Sequence, residues 1–182
     1  MESRRILLGI TGSAAAFKGV MLASLLRKKG FQVDGVITPA GLKFVTETQL
    51  SSVTGRPVFT ELFGEDVVST VPHIHLTDDL DLFVVAPATA DFMAKAAWGL
   101  ANDLLSSVYL ACDCSVVMAP AMNQRMWNNP ATRFNVERLA EMGVVLAGPV
   151  EGELACGTTG PGRMMEPREI LEVCLDALRG KG

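Results

Sequence analysis

Aromatic residues are scarce in this chain of 182 residues: 8 Phe, 2 Trp and a single Tyr. So few rings leave no platform on which nucleic-acid bases would stack. Basic residues are not in excess either. The 16 Lys and Arg are outnumbered by 20 Asp and Glu, for a formal charge of −4, which argues against the concentrated basic face of a nucleic-acid module. Only four cysteines occur, Cys112, Cys114, Cys156 and Cys174. That is far below the density of a disulfide scaffold, and they read as reduced thiols of a cytoplasmic protein. Cys112 and Cys114 are too close for an ordinary bridge. No second such pair and no His cluster accompanies them, so no metal is expected. Repeats and biased tracts are absent, which removes collagen, coiled-coil and low-complexity readings.

Half of the residues (49%) are hydrophobic and 20% are charged, too apolar for disorder. The length suits one domain, residues 1–182, with a substantial core. An apolar stretch from Ile6 to Leu26 follows Arg4 and Arg5, and Ala14 and Ala16 resemble a cleavage site, the outline of an export signal. Lys18 interrupts it, and Gly9, Thr11, Gly12 and Ser13 break it in two. A strand, a turn and a helix fit better, and no membrane association is expected.

Strands and helices alternate along the chain. Ile6 to Ile10 reads as a buried strand ended by Thr11-Gly12-Ser13. Ala14 to Lys29 reads as a helix with Phe17, Val20, Met21, Ala23, Leu25 and Leu26 inward. Arg27, Lys28 and Lys29 suit its dipole, and Gly30 stops it. Gln32 to Thr38 is a second strand. Asp81 to Ala86, ended by Pro87, is a third. Helices are predicted over Asp91–Trp98 and Asp103–Ala111. A strand over Ser115–Ala119 ends at Pro120. A helix over Pro130–Met142 stops at Gly143, a short strand covers Val144–Leu146, and a last helix runs from Pro167 through Leu178. Strands apolar throughout, alternating with helices, imply a parallel sheet: an α/β three-layer sandwich with a Rossmann-like, flavodoxin-like sheet. Ligands bind such sheets beyond the carboxyl ends of the strands, so the informative loops follow Ile10, Thr38, Ala86 and Ala119.

The first of these, Gly9 to Ala14, offers small residues, and unpaired N–H groups are expected where its helix begins. Thr11 and Ser13 could add hydroxyl contacts. It reads as a phosphate site or as a tight turn with a Ser cap; it is neither a Walker loop nor a dinucleotide fingerprint. Ala86 to Asp91 repeats the logic, with Thr89 as helix cap. In Pro120 to Trp127, Asn123 offers both a donor and an acceptor at a strand mouth, and the Met and Trp residues form an apolar wall or fill core gaps. Gly152 to Met164 holds four glycines and a proline and reads as a flexible lid carrying Cys156 and Arg163. The only histidines, His73 and His75, are two apart; on an extended segment they face one side. One of them is then the acid or base.

Together, Gly12-Ser13, His73-Ile74, Ala86-Pro87-Ala88-Thr89-Ala90-Asp91 and Pro120-Ala121-Met122-Asn123 with Met126-Trp127 resemble the flavin-containing cysteine decarboxylases, from Arg5 to about Leu178. The stretch Leu154-Ala155-Cys156-Gly157 with Gly160, Gly162 and Met164 narrows the resemblance to phosphopantothenoylcysteine decarboxylases of coenzyme A synthesis. The resemblance implies an FMN-binding homotrimer, or a multiple of trimers, with flavin near the subunit interface. Gly12, Ser13, Ala14, Thr38, Thr89, Ala90, Asp91 and Ala121 are its cofactor candidates. His73 matches the catalytic histidine, Asn123 the residue that orients the substrate carboxylate, and Cys156 the proton donor. Met122, Met126 and Arg163 are candidates for substrate contact. The implied reaction takes a small-molecule substrate, 4′-phosphopantothenoylcysteine, oxidises its thiol end to create an electron sink, loses CO2 and is reduced again. Flavin carries the redox chemistry while the protein positions and protonates. Bacterial relatives are often fused to a synthetase, for which this chain has no room; it is either a free-standing decarboxylase, with a separate phosphopantothenoylcysteine synthetase as its partner, or a piece cut from such a fusion. Many members have Asn where Asp91 stands, and Asp after Ala-Thr-Ala resembles the bacterial fused type. The alternatives are a peptidyl-cysteine decarboxylase of peptide-antibiotic maturation, a flavin prenyltransferase and a non-catalytic regulatory flavoprotein.

Overall fold

A computed structural model describes residues 4–62, 72–153, 157 and 159–180. Its centre is a six-stranded, all-parallel sheet of strands β1 (Arg5–Ile10), β2 (Gln32–Ile37), β3 (Val58–Phe59), β4 (Leu82–Ala88), β5 (Ser115–Pro120) and β6 (Val145–Leu146), in the order β3-β2-β1-β4-β5-β6. The order reverses between β1 and β4, the position where such sheets open a crevice at their carboxyl ends. The predicted three-layer, flavodoxin-like fold is the one found.

Side chains alternate across each strand, so each sheet face builds its own core. Ile6, Leu8, Ile10, Val84, Ala86 and Val117 pack with helices α1 (Ala16–Lys28) and α8 (Pro167–Arg179). Leu7, Val36, Phe83, Val85 and Met118 pack with α3 (Pro72–Thr77), α4 (Ala90–Trp98), α5 (Leu104–Ala111) and α7 (Pro130–Glu141). Helix α1 lies close on the sheet because Gly19 faces the Ala86 carbonyl, where a Cβ would collide.

Several expectations need correction. Helix α1 buries Ala16, Gly19, Val20, Leu22, Ala23 and Leu26, whereas Phe17 and Met21 are each 52% exposed. The close approach at Gly19 sets the inward face, and the two bulky side chains point elsewhere. Strand β4 does not end at Pro87 but runs through it to Ala88, because the β4–β5 register shifts between Val85 and Ala88 and no ladder N–H is needed there. Likewise Pro120 is the last residue of β5. The His73–His75 segment is not extended; it is helix α3, where a spacing of two places side chains on different faces. Around the described part of the expected lid, the chain forms an antiparallel hairpin, β7 (Val150–Glu153) with β8 (Thr159–Arg163). Helix α2 (Glu47–Thr54), capped by Thr46, and strand β3 lie in a stretch where no elements were anticipated.

Among the described residues no helix is long and apolar enough to cross a membrane. No group of three or more His, Cys, Asp or Glu side chains there has the spacing of a metal site.

Candidate active site

Thr11 ties the first two loops together. Its hydroxyl, in a residue only 2% exposed, donates to the Pro87 carbonyl at 2.7 Å and accepts from the Thr89 N–H at 3.1 Å. Thr11 is therefore a brace between the β1 and β4 carboxyl ends, not the ligand-facing hydroxyl anticipated from the loop. Beside it, Ser13 Oγ accepts from the Ala15 N–H at 3.2 Å, and the Ser13 carbonyl from the Ala16 N–H at 2.9 Å. The Ser13 and Ala14 N–H groups meet no acceptor among the described residues. These two donors, just ahead of the N-cap Ala15 of a 13-residue helix, sit at the positive end of its dipole, where an anion is favoured.

The opposite wall follows β5. The Ala121 N–H donates to the Ala88 carbonyl at 3.1 Å, and the Met122 N–H to the Gly162 carbonyl at 3.0 Å. Gly162 has φ 125°, and any side chain there would strike the Met122 carbonyl. The β7–β8 hairpin is thus clamped against the β5 loop. Asn123 caps the short helix α6 (Gln124–Trp127), its Oδ1 accepting from the Arg125 N–H at 2.8 Å.

Between these walls lies a cavity of about 380 Å³, lined by Ser13, Ala14, Ala121, Met122, Asn123 and Arg163 among the anticipated residues. Phe17, Lys18 and Glu153 line it as well and were not anticipated. Lys18 had a signal: it is the one charge within an otherwise apolar run. Its Nζ reaches Glu166 at 2.8 Å and the Met164 carbonyl at 3.4 Å, and Arg163 reaches the same Glu166 at 2.5 Å. The hydrogen bond from Lys18, supported by Arg163, holds the Glu166 carboxyl below its ordinary range against the effect of burial.

Other anticipated residues stand outside the cavity lining. Gly12 is needed because Ala40 lies against it: a Cβ added at Gly12 would fall 2.6 Å from the Ala40 Cβ. Thr38 is committed locally: its hydroxyl donates weakly to the Ile10 carbonyl at 3.4 Å and accepts from the Gly41 N–H at 3.1 Å. Thr89 caps α4 through the Phe92 N–H at 3.3 Å, with Ala90 next to it as the first helical residue. Asp91 is exposed and pairs with Lys95 at 3.2 Å. Lys95 also holds Asp103 at 2.9 Å. Burial pushes the Asp103 carboxyl up, but the Ser106 N–H and Lys95 outweigh it and hold it below the usual value. Met126 is largely exposed on α6. His73 is half-buried on α3, and its buried Nδ1 has no hydrogen-bond partner among the described residues. Cys156 lies outside the described residues.

Orphan N–H groups at a helix start, small Ala14 and Ala121, and the flanking Lys18 and Arg163 suit an elongated anionic cofactor with a planar head. A parallel doubly wound sheet with its cavity beyond the strand ends places the protein in the doubly wound α/β class, whose ligand sites lie at that position. A family model described as Flavoprotein matches residues 1–179, and the chain belongs to that family.

The chain is similar to the coenzyme A biosynthesis bifunctional protein CoaBC of Vibrio vulnificus (strain YJ016), 42% identical over 174 residues, which is 96% of this chain and 43% of the relative. It thus spans less than half the length of that relative. Among solved structures, it is similar to a cysteine-to-serine mutant of PPC decarboxylase complexed with pantothenoylaminoethenethiol, at 31% identity and TM-score 0.85, with all of both chains covered. It is also similar to the FMN-dependent cysteine decarboxylase SpaF, at 30% identity and TM-score 0.83, with 97% of each chain covered. The resemblance to flavin-containing cysteine decarboxylases read from the motifs is borne out by these matches.

Proposed function

We propose that the chain is an FMN-dependent carboxy-lyase that converts 4′-phosphopantothenoylcysteine to 4′-phosphopantetheine in coenzyme A synthesis. The observation that carries this reading is the cavity between the Ser13–Ala14 helix start and the Ala121–Asn123 loop. Its support is the end-to-end likeness to PPC decarboxylase.

In this reading the orphan Ser13 and Ala14 N–H groups, with Gly12, Thr38, Thr89, Ala90, Asp91 and Ala121 at neighbouring strand ends, hold FMN. Bound flavin supplies the two-electron chemistry that gives an acyl-linked cysteine a sink for decarboxylation. Asn123 orients the substrate carboxylate, Met122 and Met126 wall the reacting end, and Arg163 meets the substrate. Cys156 delivers a proton to the product carbon. His73 acts as acid or base. It stands outside the cavity lining of a single chain, which fits a homotrimer, or a multiple of trimers, whose site is completed at the subunit boundary. A phosphopantothenoylcysteine synthetase is the proposed partner, the cytoplasm the proposed location, and residues 1–182 a single flavoprotein decarboxylase domain.

The test is anaerobic incubation of the purified protein with 4′-phosphopantothenoylcysteine, followed by mass spectrometry, after its visible spectrum is recorded. A yellow protein releasing CO2 and a saturated product is expected. A yellow protein that leaves this substrate intact and decarboxylates a peptide ending in cysteine would overturn the substrate. The Cys156→Ser variant is expected to stop at the unsaturated enethiol, and His73→Asn to lose turnover before that point.

A further inference from the structure

At the opposite end of the sheet from this cavity, Cys112-Asp113-Cys114 forms the whole connection between α5 and β5. Cys112 leaves the helix in extended geometry, φ −80° and ψ 131°, and the chain bends at Cys114. Residues two apart on an extended segment share a face, and the bend closes the gap between them. The two sulfurs lie 3.0 Å apart. Their spacing in sequence is too short for an ordinary bridge, but the fold has already brought the sulfurs together, and a further approach of about 1 Å, to the ~2.05 Å of a disulfide, would close them into a small ring. Both cysteines are half-buried. They border a second cavity of about 260 Å³ shared with Tyr109, Met142 and Gly143, through which a small thiol reagent can reach them. The proposed decarboxylation uses neither sulfur.

We infer that Cys112 and Cys114 are a redox-active dithiol that reacts with low-molecular-weight disulfides of the glutathione class and closes to a Cys112–Cys114 disulfide. One protein thiolate attacks the small disulfide; its S–S bond breaks, one small thiolate leaves and a mixed disulfide forms. The second protein thiolate then attacks the protein sulfur of that mixed disulfide and releases the second small thiol. The protein gives up two electrons and two protons, and the small disulfide is reduced to two thiols. The second attack is intramolecular between groups already in near-contact, so it outruns a second encounter with reagent. The bridge encloses a very short loop and removes little unfolded-chain entropy, so it modifies the protein without stapling it.

The experiment exposes the full chain to glutathione disulfide, alkylates the remaining thiols with iodoacetamide and maps the peptides by mass spectrometry. Cys112 and Cys114 should lose alkylation together, in a peptide lighter by two hydrogens and free of glutathione. Cys112→Ser and Cys114→Ser should each stop at a glutathione adduct on the remaining partner. Stable adducts on both cysteines of the unsubstituted chain, a bridge to Cys156, or full alkylation of both thiols after exposure would each overturn the inference.

Discussion

Replacing Thr11 by Val tests whether the two ligand loops are held in register by one hydroxyl. The change preserves the branched shape and removes a donor at 2.7 Å from the Pro87 carbonyl and an acceptor at 3.1 Å from the Thr89 N–H. Thr11 is 2% exposed, so water does not readily replace it. Two neutral hydrogen bonds at about 1 kcal/mol each give a loss of about 2 kcal/mol, more if the orphaned groups stay dry. In a protein of this size, that corresponds to a fall in Tm of about 4–8 °C. Differential scanning calorimetry on the flavin-free protein reads stability alone, and flavin titration of the same samples reads loop alignment. Thr11→Ser keeps the hydroxyl and should recover most of both. A Thr11→Val variant melting within about 1 °C of the parent, with unchanged flavin affinity, would refute the brace.

Three further outcomes follow from packing and charge. Gly19→Ala drives a Cβ into the Ala86 carbonyl and should cost about 1–3 kcal/mol, readable as a lowered urea midpoint at unchanged m. The lowered pKa of Glu166 means that its pairing stabilises the fold above its ordinary value of 4.5 and is lost as pH falls through the folded value. Lys18→Met should therefore flatten the acid limb of the stability profile; the effect should stay within about 1 kcal/mol, because solvent screens the half-exposed carboxylate. Burial pushes the Cys174 thiol from 9.0 up to about 12. Its stabilising contribution is complete below 9.0 and lost as pH rises toward about 12. Thiolate absorbance in the folded Cys112→Ser/Cys114→Ser/Cys156→Ser protein should show that delayed titration, and titration at the ordinary value would count against it.

What the chain determined by itself is the sheet and its ligand end. Runs such as Leu82-Phe83-Val84-Val85 are apolar on both faces, so helices must cover both sides, and a helix between successive strands carries the chain back to the same end of the sheet, which makes the strands parallel. Gly12-Ser13, Thr89 and Asn123 were legible because turn and cap residues act within a few positions of themselves. Tertiary structure decided the rest. That Phe17 and Met21 face outward depends on where Gly19 meets β4, a contact across 67 positions of chain (86 minus 19). That Thr11 braces a distant loop, and that Lys18 joins Glu166 across the cavity wall, also needed the fold. Helix α3, which carries His73, is held in place by Leu76, which shares the core of that sheet face with Leu104, Leu105 and Val108 of α5. Local patterns encode local geometry, whereas the pairing of distant loops follows only when the sheet has brought their strand ends together.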